Sequence, residues 1–285
     1  MDIKGTLIPI GGNEDKGIDK DEAYSLDFIT EGILSHVVRE SGGTDANIAV
    51  IPTASSIPRE VGDNYLSAFD KLNCRNVRVV DVRSRRDAES TDMLKWVEQA
   101  DCVMFSGGDQ SQIVEKIGQT KMHAILRKRY LKEDFVIAGT SAGAMAMSSE
   151  MISGGSSRDS FFKGAVMMRE GMGFMPGMII DSHFIVRGRF GRLAEAVAKF
   201  PVILGMGLAE DTGVIISGGN SCKVIGSGMV ILMDPGHLSH NNEKILEKGT
   251  PMTLGNLVVH VLSNSDGFQI DSRQLEILPV DAEFI

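Results

Sequence analysis

Cysteine is scarce in this chain. The three present, Cys74, Cys102 and Cys222, are far apart, odd in number and without a C-x-x-C pair. That spacing excludes a disulfide framework and a zinc cluster, and a reducing compartment fits best. Long apolar runs are also missing. The longest, Gly228 to Met233 with its flanks, is bordered by glycine and aspartate, and it falls well short of the roughly 20 residues needed to span a bilayer. The start, Met1-Asp2-Ile3-Lys4-Gly5, leads directly into a strand-like run without the pattern of a secretory signal, so the expectation is a cytoplasmic protein with no membrane partner. Basic charge is in deficit: 29 Lys and Arg against 38 Asp and Glu give a net charge of -9. A phosphate-binding surface needs the opposite balance, which argues against nucleic acid as a partner and leaves room for a cationic one. No linker rich in proline, serine or charge interrupts the sequence, and no repeat or low-complexity tract is visible. A single α/β domain over 1–285 is therefore expected, with about 202–285 as a strand-rich extension of the same sheet.

What the chain does contain is an alternation of short β-branched runs with stretches of helical period. Gly5 to Ile10, Asn47 to Pro52, Val77 to Val82, Asp101 to Phe105, Phe135 to Ala138 and Met178 to Asp181 are strand-length, and several are apolar throughout, as parallel strands covered on both faces are. Phe28, Ile29, Ile33, Val37 and Val38 predict a helix ending at Gly42-Gly43, and Val61, Tyr65, Phe69 and Leu72 a second. From Val202 the strands are separated by glycine and read as antiparallel, with Asp234 to Thr250 as the most flexible loop.

Directly after the strand Phe135 to Ala138 comes Gly139-Thr140-Ser141-Ala142-Gly143-Ala144, a G-x-S-x-G in the strand-turn-helix setting that such a turn requires. A serine there sits in a strained conformation that lifts its hydroxyl from the sheet, and its small neighbours avoid clashes. The helix that follows directs its N-terminus at Ser141, and the Ala142 amide is placed to donate to an oxyanion. A second glycine turn, Phe105-Ser106-Gly107-Gly108-Asp109-Gln110, would adjoin the first if the two strands are neighbours. Gly107 or Gly108 then supplies a second donor, Gln110 holds substrate and Asp109 caps a helix.

A serine nucleophile needs a base. Of six histidines, His36 and His123 fall in predicted helices, His260 in a strand, and His237 and His240 in the polar loop, whereas His183 follows the strand Met178 to Asp181 at the carboxyl edge. Its acceptor is sought in Glu210 or Asp211, with Asp181 a third option and Glu210 preferred. Arg187, Arg189 and Arg192 follow His183 closely and suggest carboxylate recognition, or, on a helix, ordinary pairing with surface acids.

Taken together, Gly107-Gly108-Asp109-Gln110, Gly139 to Ala144, Asp181-x-His183-Phe184 with Arg187-x-Arg189-x-x-Arg192, and Gly205-x-Gly207-x-x-Glu210-Asp211-Thr212 resemble the serine peptidase family that contains cyanophycinase and peptidase E, most closely its cyanophycinase branch. The resemblance implies a flavodoxin-like or class I glutamine-amidotransferase-like three-layer sheet, a homodimer, and no metal or cofactor. It also implies a Ser141, His183, Glu210 triad, a pocket of Gln110, Asp181, Ser182, Arg187, Arg189 and Arg192, and an arginine- and aspartate-containing peptide substrate cut into β-Asp-Arg dipeptides. Ser182 stands where that branch usually has glutamine, which bears on specificity and not on hydrolysis. Two other readings stay open: an aspartyl or isoaspartyl dipeptidase, and a non-catalytic protein that binds an anion or peptide.

Overall fold

Short β-branched runs alternating with amphipathic segments favour a sheet covered on both faces, and the computed structural model has this arrangement. It describes residues 3–17 and 26–277; expectations for Met1, Asp2 and 278–285 lie outside them. Strands β1 (Thr6–Ile10), β2 (Ile48–Ile51), β3 (Val77–Val79), β4 (Cys102–Phe105) and β5 (Val136–Thr140) are parallel, in the spatial order β3-β2-β4-β5-β1. Side chains alternate between two cores. Ile8, Val50 and Met104 pack against α1 (Ile33–Glu40) and α2 (Pro58–Lys71). Leu7, Ile51 and Phe105 pack against α3 (Thr91–Gln99), α4 (Gln110–Ile117) and α5 (Lys121–Lys132). Helix α1 begins later than the stripe from Phe28 predicts, because Asp27 Oδ1 accepts from the Ile29 and Thr30 amides at 3.1 and 2.9 Å and holds that stretch in turns.

Past β5 come α6 (Ala142–Met145), the antiparallel hairpin of β6 (Glu150–Gly155) and β7 (Val166–Glu170), then β8 (Met178–Asp181), α7 (Phe190–Lys199) and β9 (Leu204–Leu208). The hairpin has no counterpart in the sequence reading, since glycine and serine fill half of β6 and leave no apolar alternation. Strands β10 (Thr212–Ser217) and β11 (Ser221–Gly226) add to the free side of β1 in antiparallel sense, followed by β16 (Gly267–Gln269) and β17 (Gln274–Glu276), which makes nine strands.

The single extended sheet expected from the sequence is instead divided. β8 and β9 pair with β12 (Val230–Asp234) and, after a small pair of β13 (His240–Asn241) and β14 (Leu254–Gly255), with β15 (Val258–Leu262), in the order β15-β12-β9-β8. The chain changes sheet at Asp211, whose φ of 45° turns the backbone between β9 and β10. Apolar strand runs of similar length carry no mark of which sheet they join. One core cluster nevertheless runs from Leu7 and Ile137 of the first sheet to Ile180 and Met206 of the second. The loop expected to be flexible is tied down: Asn241 Nδ2 donates to Ala198 O at 2.7 Å, and Lys163 Nζ meets Glu243 Oε1 at 3.1 Å. Among the described residues no helix is long and apolar enough to cross a membrane.

Candidate active site

At the end of β5 the backbone reverses sharply into α6, and Ser141 occupies the bend with φ 49° and ψ -104°. Gly143 makes the bend feasible, because a Cβ there would come within 2.6 Å of the Phe105 carbonyl oxygen on the neighbouring strand. Helix α6 is a single turn, shorter than the sequence suggests, as the chain must enter the β6–β7 hairpin. β4 and β5 are neighbours, so the two glycine turns adjoin: a Cβ on Gly107 would lie 3.5 Å from that of Ser141. Among the described residues the Gly107, Gly108 and Ala142 amides have no hydrogen-bond acceptor. Asp109 caps α4, accepting from the Ser111 amide at 2.8 Å.

His183 lies just past β8. Although β8 belongs to the second sheet, its carboxyl end abuts that of the first, and His183 Nε2 sits 3.0 Å from Ser141 Oγ while Nδ1 sits 2.6 Å from Glu210 Oε1. A carboxylate only accepts, so Nδ1 carries the proton and the Nε2 lone pair faces the hydroxyl. Burial works to raise the pKa of Glu210, but the bonds from His183 and Asn13 and the charge of Arg187 outweigh it and hold the carboxyl below its ordinary value. Neither alternative carboxylate reaches His183. Asp211 accepts from the Asp15 amide at 3.1 Å and from Ser227 Oγ at 2.6 Å, and Asp181 is enclosed by arginines.

Ser141, His183 and Asp211 all have φ between 45° and 49°, a conformation that costs about 1–3 kcal/mol each and persists only where the surroundings impose it. The loop after β1 imposes it. Successive carbonyls accept the three amides: Ile10 O from Ser141 at 2.8 Å, Gly11 O from His183 at 2.8 Å and Gly12 O from Asp211 at 2.9 Å. Gly12 has φ 106°, and a Cβ there would run into the His183 ring. The sequence reading missed this loop. Its signal was present as a third glycine turn, Gly11-Gly12, closing a strand in the manner of Gly107-Gly108. Beyond it Glu14 is buried, accepting from Tyr65 Oη at 2.5 Å and Thr140 Oγ1 at 2.6 Å.

Ser141 and His183 open into a cleft of about 450 Å³ walled by Gly107 and Gly108, by Glu14 and Lys16 of the β1 loop, and by Arg187. Of the residues expected to line a substrate pocket, only Arg187 does so. Asp181, fully buried, takes Arg189 Nη1 at 3.0 Å and Arg192 Nε at 2.8 Å, so that all three satisfy one another. Ser182 is also buried, its hydroxyl 3.3 Å from Ser141 Oγ and 3.4 Å from Met145 Sδ. Gln110 donates to Ile152 O at 2.8 Å, on the β6–β7 hairpin. These directions were not readable beforehand for one reason: proximity to His183 in sequence does not say whether a side chain points out to the cleft or back into the protein.

Comparison with known proteins bears on the same residues. Residues 28–224 match the model of peptidase family S51. The chain is 34% identical over 272 residues to a cyanophycinase of Geminocystis herdmanii, covering 95% of this chain and 96% of that protein. It is 32% identical over 279 residues to a cyanophycinase of Synechococcus elongatus, covering 97% and 83%. Among solved structures, a peptidase from an acI-B1 Actinobacterium superposes with TM-score 0.60 at 20% identity, over 92% of this chain and 97% of that one. A putative peptidase E protein from Listeria monocytogenes gives TM-score 0.51 at 14% identity, over 79% and 98%; at such identities the likeness is one of fold. The family match and the near full-length relatives together establish that the chain belongs to peptidase family S51 and is a serine-type peptidase.

Proposed function

We propose that this peptidase hydrolyses the arginine-decorated polyaspartate cyanophycin from a chain end, releasing β-Asp-Arg dipeptides through an acyl-enzyme. The observation that carries the reading is the continuous line from Glu210 through His183 to Ser141, with bonds of 2.6 and 3.0 Å. Ser141 Oγ attacks the scissile carbonyl carbon as its proton passes to His183 Nε2, and Glu210 stabilises the imidazolium formed. The developing oxyanion is received by the amides of Ala142 and of Gly107 or Gly108. Collapse returns the proton from Nε2 to the departing amine. Water, deprotonated by the same nitrogen, then attacks the ester, and on collapse that proton passes from Nε2 to Ser141 Oγ as the product leaves with its new carboxylate.

The cleft, at about 450 Å³, has room for a terminal unit beside Ser141, which is compatible with end-directed cutting and also keeps an aspartyl dipeptidase in view. Ser141→Ala is expected to lower kcat on purified cyanophycin by at least about 10⁴-fold while leaving the circular dichroism spectrum unchanged; turnover at the wild-type rate removes Ser141 from the mechanism. A panel of α- and β-aspartyl peptides separates the two substrates, and cleavage of α-aspartyl peptides alone defeats the polymer reading.

A further inference from the structure

The cleft has two cations on its wall, Arg187 and Lys16, and their surroundings differ. Arg187 is exposed and its guanidinium has no hydrogen-bond partner among the described residues. Lys16 is held from several sides. Its ammonium lies 2.9 Å from Glu14 Oε1, donates to Glu14 O at 3.3 Å and sits 5.1 Å from the centre of the Tyr65 ring. Glu14 is in turn bonded through Oε2 to Thr140, the residue before Ser141. An ammonium has three N–H donors, and the two oxygens of Glu14 engage two. The third has no acceptor among the described residues, and the side chain, 24% exposed, lines the cleft. A cation fixed in place with one donor unspent, on the same wall as the attacking hydroxyl, is a ready-made carboxylate receptor, because little side-chain entropy remains to be lost on binding.

We propose that Lys16 is a specificity-determining residue which binds the free main-chain carboxylate of the terminal unit being released. The assignment rests on the reading of Ser141 as nucleophile. A carboxylate suits the position and an ammonium does not: the acid that lines the cleft, Glu14, is buried and already bonded to Tyr65, Thr140 and Lys16.

The test uses synthetic β-Asp-Arg oligomers in three forms: all carboxylates free, the main-chain terminal carboxylate amidated, and the terminal arginine carboxylate amidated. With wild-type protein, amidation of the main-chain carboxylate is expected to lower kcat/KM roughly 10- to 100-fold, mostly through KM, the range for one charge-assisted hydrogen bond. Lys16→Met is expected to bring the free and main-chain-amidated forms to within about twofold of each other, consistent with loss of that one bond. Labelling of Ser141 by a serine-directed fluorophosphonate counts the folded, competent fraction of each preparation. Equal wild-type turnover of the free and main-chain-amidated oligomers overturns the assignment without any variant. So does a preference that survives in Lys16→Met, or one that follows the arginine carboxylate. Inert wild-type protein on all three forms instead defeats the polymer reading, which is a separate failure.

Discussion

Two buried carboxylates flank the candidate nucleophile, and they are satisfied in opposite ways. On the β8–α7 side, Asp181 is wholly enclosed and meets Arg189, Arg192 and the Ser182 amide, with both cations turned inward. On the β1-loop side, Glu14 is as deeply buried but accepts from two hydroxyls, and its one cation, Lys16, stays at the cleft. The first arrangement is a closed strut beneath His183; the second leaves a charge available to a ligand. Charge near a catalytic residue in sequence is therefore a poor guide to charge offered to substrate. What decides is which end of the ion pair faces water.

The sharpest way to break this comparison is to remove Asp181. In Asp181→Ala, Arg189 and Arg192 lose their anion, and leaving buried charge uncompensated is expected to cost about 3–5 kcal/mol of stability. Urea denaturation measures it. A cost under about 1 kcal/mol would mean that the guanidiniums reach water and that the strut is open.

Much of this architecture was legible in the sequence, for identifiable reasons. The strand runs from Thr6 to Thr140 were found because parallel strands covered on both faces are apolar throughout. The bend at Ser141 was legible because it demands small neighbours, and the place of His183 at a strand end because the other histidines fell in helices, a strand or the polar loop. The second sheet was not legible, since the backbone turn at Asp211 leaves the composition of β9 and β10 alike. Nor was the role of the β1 loop, which acts on Ser141, His183 and Asp211 through main-chain carbonyls that no side-chain pattern reports. The arginines were noticed for their chemistry, and the direction in which they point is a tertiary property.

Gly12→Ala probes the β1-loop side with a smaller perturbation. The added methyl group meets the His183 ring at a φ of 106°, and a displacement of the ring by about 1 Å is expected to lower kcat by roughly 100-fold. The backbone strain costs about 1–3 kcal/mol of stability, so the protein is expected to stay folded at 25 °C. Steady-state kinetics on aspartyl-arginine oligomers separates kcat from KM. A variant with unchanged kcat would show that this loop does not hold the imidazole in place.

The smallest effect, and the most specific to the contrast between the two acids, concerns pH. Burial works to raise the pKa of Glu14, but Lys16 and the hydroxyls of Thr140 and Tyr65 hold it below its ordinary value. In the unfolded chain the same carboxyl takes up its proton near pH ~4.3. Between that pH and the lower folded value the unfolded state binds more protons, so the contribution of Glu14 is complete above the window and is lost as pH falls through it. Glu14→Gln is accordingly expected to be less stable than wild type at pH 7 by about 1–3 kcal/mol, the worth of hydrogen bonds to a charged group. In urea midpoints taken from pH 6 to pH 3 the gap should hold constant down to about pH 5 and narrow below it, as the unfolded carboxyl takes up its proton near pH ~4.3. A gap that is constant across this series would show that the Glu14 carboxyl binds its proton equally well in the folded and unfolded protein, so that Lys16 and the two hydroxyls do not favour its anion.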